Sequence, residues 1–491
     1  MVSRRHLVIS SVVVGLAAAF AMPGGEVRAQ QKPQAVVMKG RAPVSTDVLK
    51  IKLPRPAEAD LPNGLHVMVL EDRRLPQVSF QILIPGAGGY FDPADLPGLA
   101  VVTAAMMREG TTSRTTQQIS ELLETKAATV AVTSGLSSTN ATVNGSSLTE
   151  NFEDTFALAA DILLNPSFPQ DELDRYRTRT RASLVSQRTS PGFLANEMMS
   201  KILYGTHPAS RTSLTDEGLG KITRDALVST HKARFVPDHA IVAISGDISM
   251  ADARKAIDAK LGTWKKAGTP APAVTDPPAI GPARVTFIAR PNSVQTSLWV
   301  GTQAIQRVSP DYDIVQVMNE VVGGGPAGRL FTHLREEKGY TYGAYSNISA
   351  GPFRGNWIAS TDVRTEVTQD ALRDLVAEIT RMRNEPVPTK EFEDRKRGMV
   401  ARFALSLESP AAVLNSYVTR WQYKLPADYW DKYPERVMAV TIADVQAAAK
   451  KYLDATRLQI VAVGDPTKVG EILKQYGTVE TFDTNGKVIG K

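Results

Sequence analysis

The chain contains no cysteine. Disulfides, cysteine-ligated zinc and thiol catalysis are therefore excluded. Histidine is nearly absent too: His6, His66, His207, His231, His239 and His333 are the six in 491 residues. No two stand four apart, so no helix can present a two-histidine metal face. A Gly-x-Ser-x-Gly elbow is missing. Gly220-Lys221 does not close a phosphate loop, because Thr215 stands where the first glycine is needed and Ile222 where Ser or Thr is needed. No five like charges run together, and the net charge of +6 is spread along the chain without a basic stripe interleaved with aromatics. That distribution disfavours nucleic-acid binding.

Apolar residues are concentrated once, at the start. Arg4 and Arg5 precede an apolar or small run from Leu7 to Met22, and Val27-Arg28-Ala29 reads as a cleavage signal before Gln30. Residues 1–29 are expected to be a signal peptide. The run is short for a membrane span and no second one follows, so no stable span is expected after cleavage. An uncleaved membrane anchor is the competing reading. Ser3-Arg4-Arg5-His6-Leu7 resembles a twin-arginine signal, and Sec export fits equally. Either route implies a bacterial periplasmic protein.

Residues 30–55 are polar, carry prolines and read as an extended segment. Order is expected to begin near Ala57. Leu61-Pro62-Asn63-Gly64-Leu65 carries an Asn-Gly hairpin signal. Strands are expected at His66–Leu70, Val78–Ile84, Thr129–Thr133, Asn140–Val143 and Ile241–Ser245. Helices are expected at Pro97–Arg108, Gln117–Lys126, Glu153–Leu164 and Gln170–Gln187. His207, in Tyr204-Gly205-Thr206-His207-Pro208, reads as a hydrogen-bonding loop residue. The Pro/Ala-rich segment 267–283 reads as a flexible linker, and 477–491 as a C-terminal tail.

The two sides of that linker look like copies. Gln77-Val78-Ser79-Phe80 matches Gln295-Thr296-Ser297-Leu298. Pro169-x-x-Glu172-Leu173 matches Pro388-x-x-Glu391-Phe392. Ile241 to Asp247 matches Leu458 to Asp465. The spacing is nearly constant, which indicates a tandem duplication into two similar domains. Each copy holds strands and helices without strict βαβ alternation. The expected fold is therefore α+β: two homologous domains, each a largely antiparallel sheet with helices on one face. Two such halves on a flexible linker are expected to enclose a chamber between them.

The most distinctive stretch runs from Gly323 to Tyr345. Gly323, Gly324, Gly325 and Pro326 stop a helix. A short amphipathic helix follows, with Leu330, Phe331 and Leu334 on one face and Arg335 to Lys338 on the other. Gly339 fits its C-terminal cap, and Tyr340, Thr341, Tyr342 and Tyr345 read as a strand. Arg335 and Tyr342 thus project from rigid elements that meet. In an ordinary protein the arginine would complement a helix dipole and the tyrosine would be core.

Over about residues 55–475 the chain resembles the M16 zinc peptidases, the pitrilysin, insulin-degrading and mitochondrial processing peptidase group. Leu61 to Leu65, Gly98-Leu99-Ala100, Met106, Gly110-Thr111, Tyr204 to Pro208, Gly246-Asp247 and Gly323 to Tyr342 carry the likeness. The resemblance implies an N-terminal domain over 56–266 and a C-terminal domain over 284–476, two homologous α+β domains closing like a clamshell. It also exposes a departure. Active members follow Gly-Leu-Ala with His-x-x-Glu-His, and here that frame reads Val101-Val102-Thr103-Ala104-Ala105. Zinc hydrolysis needs two imidazoles and a neighbouring carboxylate, and Val101, Ala104 and Ala105 supply none. The third ligand of the family falls near Asp174 or Arg181. The family's Arg/Tyr pair is retained as Arg335 and Tyr342, which implies a substrate-holding role. The resemblance therefore implies a subunit without metal, inactive alone, that binds a peptide substrate beside a homologous partner carrying zinc in an intact motif. A peptide-holding scaffold and a standalone peptidase with an atypical site are the alternatives.

Overall fold

Alternation of apolar and polar residues sets both sheets. In β3 and β5 every second side chain is buried on the core side, Val78, Phe80 and Ile82 meeting Ala141 and Val143 across the same layer. The computed structural model describes residues 47–268 and 271–490. The expected signal peptide and most of the following segment, up to residue 46, lie outside the described residues.

The first sheet contains β1 (Ala57–Asp60), β2 (His66–Glu71), β3 (Gln77–Pro85), β4 (Thr129–Ser134), β5 (Asn140–Leu148) and β6 (Ile241–Gly246), in the order β1-β2-β6-β3-β5-β4. The second contains β7 (Val285–Ala289), β8 (Gln295–Gln303), β9 (Thr341–Ser349), β10 (Asn356–Arg364), β11 (Gln459–Gly464), β12 (Val479–Phe482) and β13 (Val488–Gly490), in the order β13-β12-β7-β11-β8-β10-β9. Strands β2-β6-β3-β5-β4 thus have the same order as β7-β11-β8-β10-β9. In each set one pair is parallel, β2 with β6 and β7 with β11, and the rest are antiparallel. The Asn-Gly signal does close a hairpin: β1 and β2 pair antiparallel, with Gly64 at φ +86° in the turn.

The principal helices follow the same duplication. The first copy has α1 (Leu99–Met107), α2 (Phe152–Leu164), α3 (Gln170–Gln187), α4 (Pro191–Tyr204) and α5 (Arg224–Arg234). The second has α6 (Tyr312–Val322), α7 (Thr368–Asn384), α8 (Thr389–Ser406), α9 (Pro410–Gln422) and α10 (Ile442–Tyr452). Even tertiary ties recur. Arg177 on α3 donates to the Ile222 carbonyl, and Lys396 on α8 donates to the Val440 carbonyl at 3.1 Å. These are the same places in the two copies.

Each copy's own helices cover one face of its sheet, as expected for the α+β class. The opposite faces are covered by an exchange. Helix α9, from the second copy, lays Val413, Leu414, Tyr417 and Val418 on Met68, Leu70, Leu83, Ile241 and Ala243 of the first sheet. Helix α4, from the first copy, lays Leu194, Ala195, Met198 and Met199 on Ile288, Val461 and Val463 of the second. Both helices start alike. Ser190 and Ser409 cap them by accepting the N–H of Phe193 and of Ala412, and Pro191 and Pro410 fill the first turn. The central strands β6 and β11 are buried along their whole length because both faces are covered. Apolar packing thus joins the two halves, and from Val48 onward the chain forms one compact unit.

Three further expectations are corrected. Order begins before Ala57: Leu53 is buried with α9, and Arg55 pairs with Asp431. The C-terminal segment is a hairpin, not a tail. Asp483 accepts the N–H groups of Asn485 and Lys487, Gly486 adopts φ +81°, and β12 joins β7. The linker is fastened on both sides. The Thr275 N–H donates to the Tyr90 hydroxyl at 2.9 Å, and Gln303 Nε2 donates to the Pro278 carbonyl at 2.7 Å. Proline-rich backbone lacks N–H groups but keeps its carbonyls, and side chains of both copies bond to backbone and side chains along this segment.

His207 takes part in that fastening. Its Nδ1 accepts the Ala209 N–H at 3.2 Å, and its Nε2–H points to the Thr275 carbonyl at 3.0 Å. Both ring nitrogens are used by the neutral form, and burial pushes the pKa below the ordinary 6.5. His231, which reaches the Leu163 carbonyl at 2.7 Å, is depressed by burial as well. The unfolded chain takes up these protons more readily than the folded one. Stability is therefore complete above the ordinary value and is lost as pH falls below it.

Two outcomes are expected. Leu194→Ala and Leu414→Ala should each lower stability by about 2–5 kcal/mol while urea unfolding stays a single transition. Two separate transitions would contradict the exchange as the bond between the copies. The urea midpoint of the native chain should drop between about pH 7.5 and about pH 5.5. His207→Gln should shrink that drop and leave the share of His231.

Candidate functional site

Helix α1 is built around its first turn. Gly98 adopts φ 94°, and the buried Asp92 carboxylate accepts the N–H groups of Gly98 at 3.0 Å and Ala100 at 3.1 Å. Arg234 on α5 pairs with the same carboxylate at 3.0 Å. The helix is thus held firmly, packed on β4 and α5. At the positions where a metal-binding helix carries its donors, Val101 and Ala105 are half-buried and Ala104 is 1% exposed. None has a lone pair. Asp174 is exposed and bonded to Arg177 at 2.8 Å, and Arg181 pairs with Asp216. These residues do not fit zinc. Among the described residues no group of three His, Asp or Glu side chains is placed to hold a metal ion. Glu109 and Glu172 border one cavity just after α1. Burial, reinforced by the Glu172 charge, holds Glu109 above the usual carboxylate range.

The glycine run after α6 is a close-packing device. The Gly323 carbonyl accepts the Ser346 N–H at 2.8 Å, and Asn319 Nδ2 donates to the Ser346 carbonyl at 3.2 Å. Asn319 Oδ1 accepts the indole N–H of the buried Trp357 at 2.9 Å. A Cβ at Gly323 would lie 2.6 Å from the Ser346 nitrogen, and one at Gly324 would lie 2.8 Å from the Glu320 Cα. At Gly325 a Cβ would meet nothing within 4 Å. Gly323 and Gly324 are thus needed for backbone approach, and Gly325 is not. The network also closes the outward side of the edge strand β9 at Ser346.

The expected short helix is only partly α-helical. A single turn at Arg329–Phe331 passes into a π-helical turn over Thr332–Glu337. The Lys338 N–H reaches back five residues to the His333 carbonyl at 3.1 Å. Such turns are rare and recur at functional sites. This one is pinned from outside. Arg329 makes two bonds to Glu391, at 2.8 and 3.0 Å, and His333 Nδ1 lies 2.9 Å from Glu378 Oε1 on α7. Arg335 stands on the π turn. Its guanidinium lies 4.7 Å over the Phe331 ring and bonds Glu336 at 2.8 Å. Phe331 in turn packs on Tyr345, with ring centroids 5.5 Å apart.

Tyr342, on β9, is 92% exposed, an unusual fraction for a strand tyrosine. It borders a cavity of about 430 Å³ with Tyr345, Gln295, Ser360, Thr361 and Asp362. Arg335 and Tyr342 lie at the same end of the second sheet, connected through Phe331 and Tyr345 and not bonded to each other. Val101, Ala104 and Ala105 belong to the first sheet's layer, and none of them lines the cavity. The π turn and the places of Asp362 and Tyr345 at the cavity escape a sequence reading. Two aromatics three apart on a strand that opens with polar residues were the available hint.

The paired sheets, the metal-less helix and the Arg/Tyr turn define a peptidase scaffold without its metal-binding set. A family model described as Insulinase (Peptidase family M16) matches residues 67–217, and one described as Peptidase M16 inactive domain matches residues 221–399. The chain belongs to peptidase family M16. It is 22% identical over 407 residues to the "Non-peptidase homolog YmxG" of Helicobacter pylori, covering 82% of this chain and 92% of that one. It is also 22% identical over 352 residues to the "Uncharacterized zinc protease YmxG" of Bacillus subtilis, covering 71% and 83%. Among solved structures, the peptidase M16 inactive domain from Pseudomonas fluorescens has a TM-score of 0.75 at 27% identity, covering 84% of this chain and 98% of that one. A protease from Helicobacter pylori shares the fold with a TM-score of 0.77 at 16% identity, covering 84% and 100%.

Gly323→Ala should lower stability by about 1–3 kcal/mol through overpacking against Ser346, while Gly325→Ala should change it by less than about 0.5 kcal/mol. Urea midpoints of the two variants check this. Equal effects would refute the packing role.

Proposed function

We propose that this chain is the non-catalytic, substrate-binding subunit of a periplasmic, heterodimeric M16-type zinc peptidase acting on peptides. The observation that carries the reading is the split between two sets of positions. The metal positions Val101, Ala104 and Ala105 hold only hydrocarbon on an intact helix. Arg335 sits exposed on a pinned, uncommon turn, and Tyr342 sits exposed on the strand that follows it. Bond cleavage then belongs to a homologous partner that holds zinc in an intact His-x-x-Glu-His motif. Arg335 can fork hydrogen bonds to a peptide carbonyl or carboxylate, and the Tyr342 hydroxyl can donate to a carbonyl as charge develops on it. An extended peptide has a second place to bind. Strand β4 is the edge of the first sheet, and among the described residues no protein backbone bonds its outward groups. Such an edge accepts an added strand. Export by the Sec or twin-arginine route is inferred from residues 1–29.

The test mixes the mature chain with a homologue that bears the zinc motif and follows hydrolysis of a fluorogenic peptide. The mixture should exceed the homologue alone, and Arg335→Ala should lower its kcat/KM roughly ten- to a hundredfold, the loss of one charge-assisted hydrogen bond. Hydrolysis no faster than with the homologue alone, together with an inert Arg335→Ala, would sink the reading. A peptide-holding scaffold is the second reading. The Arg335 guanidinium is already engaged by Glu336 and Phe331, and peptide affinity without partner-dependent cleavage would favour it. A standalone peptidase with an atypical site has the least support. Stoichiometric zinc in the pure chain with chelator-sensitive cleavage would revive it.

A further inference from the structure

The cavity beside Tyr342 has a chemical character of its own. Strand β10 pairs with β9 in register from Asn356 opposite Ser349 to Thr361 opposite Ala344, and the register then shifts between Thr361 and Val363. Asp362, opposite Ser297 of β8, faces outward by the alternation of β10, and the slip falls on β9 at Tyr342 and Gly343 beside it. Asp362 is exposed, and its carboxylate makes no hydrogen bond or ion pair with any described residue. Arg364, two residues along β10 on the same face, does not pair with it, and Arg335 is engaged by Glu336. Two tyrosine rings, an unpaired carboxylate, the Gln295 side chain and the Ser360 hydroxyl therefore border one space. Apolar ligands would leave these polar groups unmatched, and an anion would meet Asp362 head on. A cation meets a carboxylate for charge and ring faces for its quadrupole.

We propose that this cavity receives the ammonium or guanidinium group of a lysine or arginine side chain on the held peptide, with Asp362 as counter-charge and Tyr342 and Tyr345 as walls. The inference rests on the peptide-holding reading and deepens it. Asp362 selects which peptides are held. Tyr342 then has two faces of use, its hydroxyl toward the peptide backbone and its ring toward the neighbouring basic side chain. The selectivity sits on a strand, where the backbone is rigid, next to the strand that follows the π turn carrying Arg335.

Fluorescence anisotropy of the full mature chain with labelled ten-residue peptides tests this. The peptides are identical except for one central residue: lysine, arginine, norleucine or glutamate. Lysine and arginine peptides should bind about tenfold more tightly than norleucine, and glutamate more weakly than norleucine. Asp362→Asn should remove the preference for lysine over norleucine. Glu471→Gln, the same charge change at an exposed site far along the chain, should leave that preference intact. Circular dichroism and urea midpoints verify that both variants fold. A free lysine amide added as competitor should displace the lysine peptide only weakly, whereas equal displacement would mean that the site reads a small cation and not a peptide. Equal affinity for lysine and norleucine peptides, or a preference that survives Asp362→Asn, overturns the proposal while the peptide-holding reading stands. Failure of every peptide to bind overturns both.

Discussion

The exchange of helices α4 and α9 between the two copies is the packing on which the rest depends. A sheet with one face on its own helices leaves the other face as exposed hydrocarbon, and burial of such a face is worth roughly 25 cal/mol per Å². Each copy therefore needs the other's helix to complete its core. Met68, Leu70, Ile241 and Ala243 would face water without α9, and Ile288, Val461 and Val463 would face water without α4. The linker is drawn into the same seam and bonded there. A chain arranged this way has little freedom to hinge, and its functional surfaces are set by rigid elements.

Within that frame the two copies have diverged in complementary ways. The first keeps an edge strand, β4, whose outward groups no described backbone bonds, and a helix beside it without metal donors at Val101, Ala104 and Ala105. The second has closed its equivalent edge with Gly323 and Asn319 and has turned the segment before it into a π turn bearing Arg335. One copy offers backbone pairing, and the other offers side chains. Duplication followed by such divergence gives a symmetric scaffold two dissimilar surfaces.

Much of this architecture was legible beforehand. The α3 helix has the limits that its periodicity implies, and the repeat of near 218 positions marks strands β3 and β8 and strands β6 and β11 as equivalents. The family likeness locates Val101, Ala104, Ala105, Arg335 and Tyr342. Other features were hidden for physical reasons. Amphipathic periodicity in 191–204 and 410–422 says that a face is buried but not against which sheet, so the exchange could not be read. The linker's prolines suggest looseness because they lack donors, yet their carbonyls are what the neighbouring side chains bond. The π turn arises from pins at Glu391 and Glu378, more than forty residues away in sequence. Asp362 is one acid among 51, and only its place at the cavity beside Tyr342 sets it apart.

The bare helix α1 has a consequence for how the molecule matures. In a metallopeptidase the ligand-bearing helix is finished only when its imidazoles are deprotonated and the ion is seated, so assembly is coupled to metal supply. Here Asp92 and Arg234 complete the helix from within, and Val101, Ala104 and Ala105 ask for nothing from solution. Formation of this helix therefore draws on side chains within the chain and not on metal donors at these three positions.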